Sequence, residues 1–84
     1  MSDTEKTTME NLDLDAIMRQ DSGRRFLTKV LEKSGYFKSS YSEDARSHAF
    51  AEGMKELGYW LVEEMQEVNP AQLINILEDH HNAK

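Results

Sequence analysis

Apolar residues recur at helical spacing in three stretches of this 84-residue chain. The longest stretch runs from Glu43 to Val68, where Phe50, Met54, Leu57, Leu61, Met65 and Val68 follow one another in steps of three and four. A helix over 43–68 rises ~1.5 Å per residue and spans roughly 39 Å, the width of a small domain. Phe26, Leu27, Val30 and Leu31 predict a second helix over 22–34, with Asp21 as its N-cap. Leu73, Ile74, Ile76 and Leu77 predict a closing helix from Pro70 to about His80. Leu14, Ile17 and Met18 fit a short N-terminal helix ending near Gln20 and capped by Asn11 or Asp13. The shorter elements cannot build a core alone, so the pattern predicts an all-α fold. It is a small bundle of three main helices plus a short N-terminal one, organised around 43–68.

The polar residues between these stripes mark where helices stop and start. Gly35 follows the second stripe and suits the left-handed conformation that ends helices, which folds Tyr36 and Phe37 back onto the bundle. Ser42 is placed to cap the long helix, with Glu43 and Asp44 in its first turn at the positive end of the dipole. Asn69-Pro70 reads as the next N-cap and first helical residue, and Gln72 completes a capping-box pattern. Residues 1–11 are polar and aperiodic and read as a disordered acidic arm. Residues 12–81 then form one helical domain, and 82–84 a frayed tail.

Composition narrows the functional classes. Hydrophobic residues make up 38% of the chain and charged residues 31%, so much of each helix faces water or a partner. A chain this short buries a modest share of its surface, which predicts a homo-oligomer, with a symmetric dimer as the default. No apolar run is long enough for a membrane span, and the acidic N-terminal stretch has no signal-peptide core. There is no cysteine for a disulfide or a thiolate metal site. The net charge of −6 and the lack of a basic–aromatic ladder argue against nucleic acid as a partner.

Two interior glycines cost the long helix ~1 kcal/mol each against alanine. Ala45, Ala49 and Gly53 share one face, a smooth strip suited to close approach of the 22–34 helix or to a foreign helix or loop. Gly58 reads as a possible kink. Trp60 is either a partly buried core residue or an interface anchor, and Tyr36, Phe37 and Tyr41 are either a lid on the core or an aromatic patch facing a partner. Arg24, Arg25, Lys29 and Lys33 form the basic stripe of the chain. Arginines in a first helical turn oppose the dipole, so an acid must compensate them: Asp21, Glu43 or Asp44 from within, or a partner's anionic surface from outside. The candidate partner-binding set is therefore Arg24, Arg25, Lys29, Tyr36, Tyr41 and Trp60.

The remaining chemistry-bearing residues read as surface. His48 and Glu52 fit a helix-surface pair, and the adjacent His80 and His81 point in different directions, a poor metal signal. Glu63, Glu64 and Glu67, with Glu78 and Asp79, form an acidic pole that reads as a solvated face or as a mimic of nucleic-acid phosphates. There is no nucleophile–base–acid pattern and no glycine-rich phosphate loop, so the sequence points to no enzyme, metal or cofactor.

One ordered string carries a resemblance. Gly23-Arg24-Arg25-Phe26-Leu27, Leu31-Glu32, Ser34-Gly35-Tyr36-Phe37, and Ala49 through Leu61 with its Gly53, Gly58 and Trp60, together with Glu64 and the Pro70–Leu77 helix, resemble a family of small tailed-bacteriophage proteins first noted in a Bordetella podophage. The family often has tryptophan after Arg-Arg-Phe-Leu, where this chain has Thr28. Its genes sit among portal, capsid and other virion-assembly genes, and no catalytic residue comes with it. The resemblance implies a phage protein of the virion, present in the host cytoplasm during infection. The expected function is a non-enzymatic virion-associated or assembly-accessory protein binding a portal, capsid or tail component. The alternative is a small acidic inhibitor of a host enzyme or defence complex.

Overall fold

The computed structural model describes residues 3–38 and 44–82. Four helices account for most of them: α1 (Asp3–Arg19), α2 (Asp21–Ser34), α3 (Ala45–Val68) and α4 (Pro70–Asn82), with no strand among the described residues. Single residues, Gln20 and Asn69, join α1 to α2 and α3 to α4. The C-termini of α1 and α3 and the N-termini of α2 and α4 therefore meet at one end of the molecule.

Local signals set most of the boundaries. At Gly35 φ is +80°, and the N–H groups of Gly35 and Tyr36 donate to the carbonyls of Glu32 and Leu31, both at 3.2 Å, closing α2 as its sequence predicts. Asn69 caps α4: its Oδ1 accepts from the Gln72 N–H at 3.2 Å. The reciprocal half of the capping box does not form, because the Asn69 N–H donates to the Met65 carbonyl and the Gln72 side chain points to α2. Asp44 sits outside the first turn of α3 and caps it, its carboxylate accepting from the Arg46 N–H and the Ser47 hydroxyl, each at 3.0 Å. The expected cap Ser42 and the expected first residue Glu43 lie outside the described residues.

Three expectations at the N-terminal side are corrected. The segment expected as a disordered arm is helical from Asp3, so α1 is 17 residues long and exceeds α2 and α4. No glycine or proline interrupts residues 3–19, Asp3 and Glu5 favour the N-terminal end, and Lys6 and Glu10 pair at 3.9 Å one turn apart. Its apolar residues do not line up on one face, which is why periodicity missed it. Asn11 and Asp13 lie inside α1 and cap nothing. Asp21 is the first residue of α2; the N-cap is Gln20, whose side chain makes no capping bond.

The core is small and shared by all four helices. Met18 of α1, Leu27 and Leu31 of α2, Met65 of α3, and Leu73 and Ile76 of α4 are buried, with Leu14, Tyr36, Phe37, Leu61, Val62 and Leu77 packed around them. The long helix contributes a single fully buried side chain, while its Phe50 and Leu57 stay exposed. The fold measures 45 × 34 × 17 Å with a radius of gyration of 14.5 Å; a compact domain of this length has a radius near 12 Å. Its accessible surface is 6217 Å², roughly 1,100 Å² more than the ~5,100 Å² typical of a monomer of this mass.

Helix approach occurs at glycines other than the expected one. Gly53 has open space where a Cβ would stand, and Ala45 and Ala49 are exposed, so the strip they form does not receive α2. Gly58, one turn on, is buried against α2: a Cβ there would meet Ser34 Oγ at 2.5 Å and Tyr36 Cβ at 3.1 Å. Gly23 lies under the Ile17 carbonyl, so close that a Cβ would overlap backbone that cannot move aside. The expectation for Gly53 failed because a helix pattern gives the smooth face but not the rotation of one helix against the next.

Denaturation of three variants checks this assignment. Gly53→Ala should raise stability by up to ~1 kcal/mol through helix propensity alone. Gly58→Ala should lower it by about 1–3 kcal/mol, and Gly23→Ala by at least as much, since each forces overlap. Equal effects at all three positions would contradict the packing described.

Candidate functional site

Arg24 shows why the end where the four termini meet is polar. The last carbonyls of α1 have no partner within their own helix. One Arg24 nitrogen donates to the Met18 carbonyl at 2.9 Å and to Gln72 Oε1 of α4 at 3.2 Å, and the other pairs with the Asp21 carboxylate. Asn75 Nδ2 also donates to Gln72 Oε1, at 3.0 Å, fixing the amide that receives Arg24. The Arg24 side chain is only 17% exposed. It is thus an internal joint of α1, α2 and α4 that also lines the groove between α2 and α4. The compensating acid is Asp21, one of the internal choices open from the sequence.

A second joint lies beside it. Asn69, while capping α4, donates through Nδ2 to Asp15 Oδ1 at 2.8 Å, and Arg19 Nε donates to Asp15 Oδ2 at 2.7 Å. The Arg19 hydrogen bond first, and the Asn69 bond after it, hold the Asp15 carboxyl below its ordinary value near 3.8. Both bonds favour the ionised form. Asp15 therefore ties α1 to the α3–α4 corner.

At the far end the aromatic residues form a lid. Tyr36 meets Phe37 and Tyr59 edge to face, with centroids 5.2 and 5.6 Å apart. The His80 ring stacks on Phe37 at 3.6 Å, and its Nδ1 lies 3.0 Å from Glu32 Oε2. An ionised carboxylate only accepts, so we assign the ring proton to Nδ1. His80 Nε2 is buried without a hydrogen-bond partner. Tyr36 is thus half-buried in packing on the core, and Tyr41 lies outside the described residues.

The other candidates are on the surface but do not converge. Arg25 lines a shallow groove between α2 and α4 with Thr28, Glu32, Asp79 and His80, and Lys29 is exposed one turn along α2. Trp60 lines a different groove, between α1 and α3, with Leu14, Ile17, Leu61 and Glu64, and is 55% exposed. A third groove joins Lys33, Gly35 and Lys38 to Phe50 and Met54. Sequence reasoning missed Gln72 and Asn69 as anchors of the joints and Phe26 and Phe50 as exposed aromatics. The last two were legible only as members of apolar stripes, which do not reveal which end of a stripe is covered.

The profile of Bbp19-like phage proteins matches residues 14–78, a span holding both joints and the groove around Phe50, while the other two grooves extend past its ends. The chain belongs to this family. No curated protein and no solved structure matches it. Residues 3–13, all exposed on α1, lie outside the matched span. Among the described residues no three His, Cys, Asp or Glu side chains are grouped to hold a metal ion, and no helix is long and apolar enough to cross a membrane.

Two measurements test the joints. Arg24→Ala should cost about 2 kcal/mol, the scale for a charged hydrogen-bond donor removed from part-buried acceptors, while Arg25→Ala stays within about 0.5 kcal/mol. Equal effects would contradict the internal role of Arg24. Because the Asp15 carboxyl is depressed in the fold, its contribution is complete above the unfolded value and is lost as pH falls through the folded one. Melting temperature should therefore fall less for Asp15→Asn than for the parent between about pH 5 and pH 2; parallel profiles would remove Asp15 from the account.

Proposed function

We propose that this phage protein is a non-enzymatic virion-associated or assembly-accessory protein that binds a portal, capsid or tail component in the head or head–tail region. The observation that carries the reading is the state of the basic stripe. Arg24 is consumed inside the fold, whereas Arg25 and Lys29 are exposed and have no ion-pair partner among the described residues. Arginine offers a planar fork of donors that matches carboxylates, so an acidic segment of a structural protein fits the exposed side of α2 that carries Arg25 and Lys29. The protein then works in the host cytoplasm during infection and in the particle afterwards.

Mass spectrometry of purified particles tests the assignment. The protein should be present in stoichiometric amounts, and Arg25→Glu/Lys29→Glu should lower its incorporation at least ~10-fold while the purified variant keeps its helicity. Expression in infected cells with absence from particles and assembly intermediates would overturn the reading and favour an inhibitor acting through the acidic pole, Glu63, Glu64 and Glu67.

A further inference from the structure

We propose that one face of this protein, built from α2 and α3 with the end of α1, pairs with the same face of a second copy in antiparallel fashion across a two-fold axis. The face consists of two rows. Along α3 run Phe50, Met54, Leu57, Leu61, which is half-buried against the core at the inner edge of the row, and Glu64, spaced four, three, four and three residues, the alternation that keeps a seam facing one partner helix. Along α2 run Phe26, Val30 and Lys33, spaced four and three. Lys33 ends this row in the groove that holds Phe50 and Met54.

The largest side chains on and beside this face are exposed, while Val30, Met54, Leu61 and Glu64 are half-buried. Phe26 is 60% exposed, Phe50 72%, Leu57 51% and Trp60 55%. Aromatic side chains hide about 150–250 Å² each when buried, so the three rings alone leave roughly 300–450 Å² of apolar surface in water. That matches the largest patch expected on a monomer, and it is often functional. The excess surface of the whole chain, roughly 1,100 Å², is of the order that each partner buries in a standard interface, about 800 Å². Gly53 lies beside the seam with nothing within 4 Å of a Cβ position. An exposed interior glycine weakens a helix, and open space beside it admits the backbone of a second helix.

Charge selects the occupant. At the Phe50 end the apolar face is bordered by Lys33 and Lys38. At the Trp60 end it is bordered by Glu10, Asp13 and Glu64. The two ends are separated by the 14 residue steps from Phe50 to Glu64, roughly 21 Å along α3. A face with a basic end and an acidic end is self-complementary when a copy is turned end for end, which is the condition for an isologous two-fold contact. A parallel pairing would set lysines on lysines and carboxylates on carboxylates. The proposal stands whether or not the protein enters the particle, because it concerns the isolated chain.

Sedimentation of the purified protein and two charge variants tests it. The parent should show twice the 9.7 kDa chain mass at micromolar concentration. Lys33→Glu/Lys38→Glu makes both ends acidic, and Asp13→Lys/Glu64→Lys makes both ends basic. Each variant alone should dissociate at least ~10-fold more readily, with unchanged helicity by circular dichroism, and an equimolar mixture of the two should pair again. A parent that remains monomeric at high micromolar concentration would overturn the proposal and leave the face to a different protein. Variants that pair as tightly as the parent, or a mixture that fails to pair, would overturn the antiparallel arrangement.

Discussion

The fold depends on the tight elbow at residues 20–24. One residue separates α1 from α2, so α2 must start directly beneath the last turn of α1. Only glycine fits where position 23 passes the Ile17 carbonyl. That approach strands the carbonyls at the end of α1, and Arg24 answers one of them while reaching across to Gln72 of α4. The positive end of α2 would ordinarily repel an arginine in its first turn. Here the negative end of α1 and the Asp21 carboxylate lie beside it, and the conflict is resolved inside the chain. The Asp15–Asn69 bond does the same for the second elbow. Two polar joints at one end thus hold two helical hairpins over a core of six buried apolar side chains.

That economy has a cost in shape. Six side chains cannot draw four helices into a compact body, and the protein is a slab 17 Å deep that keeps more surface than its mass requires. The apolar stripe on α3 shows the consequence. Its C-terminal part, Leu61 and Met65, packs into the core, while Phe50 and Leu57 continue the same stripe into solvent. A single helical pattern therefore serves two surfaces, one inside the chain and one outside it. Arg25 lines a separate groove from the apolar one around Trp60.

What was legible in the sequence follows from how far each determinant reaches. Gly35, Asn69 and Pro70 act on their own turns, and the structure has them as expected. The all-α class followed from stripe spacing for the same reason. Gly53 and Gly58 are equally glycine in the sequence, and only the docking of α2 distinguishes them. Arg24 looked like a surface cation because its partner Gln72 lies 48 residues away. The first turns of α1 were missed because they bury nothing, and periodicity reports burial. Family resemblance pointed to a phage protein, which the match over 14–78 supports, but it carried no information on which faces are covered.

A second copy paired on the proposed face would bury apolar surface that this chain leaves in water. Folding coupled to association makes stability depend on protein concentration, whereas a monomer unfolds at a fixed midpoint. Thermal unfolding followed by circular dichroism over a hundredfold range of protein concentration measures this directly. The account predicts a midpoint that rises steadily with concentration; a midpoint that stays constant across the range would contradict it.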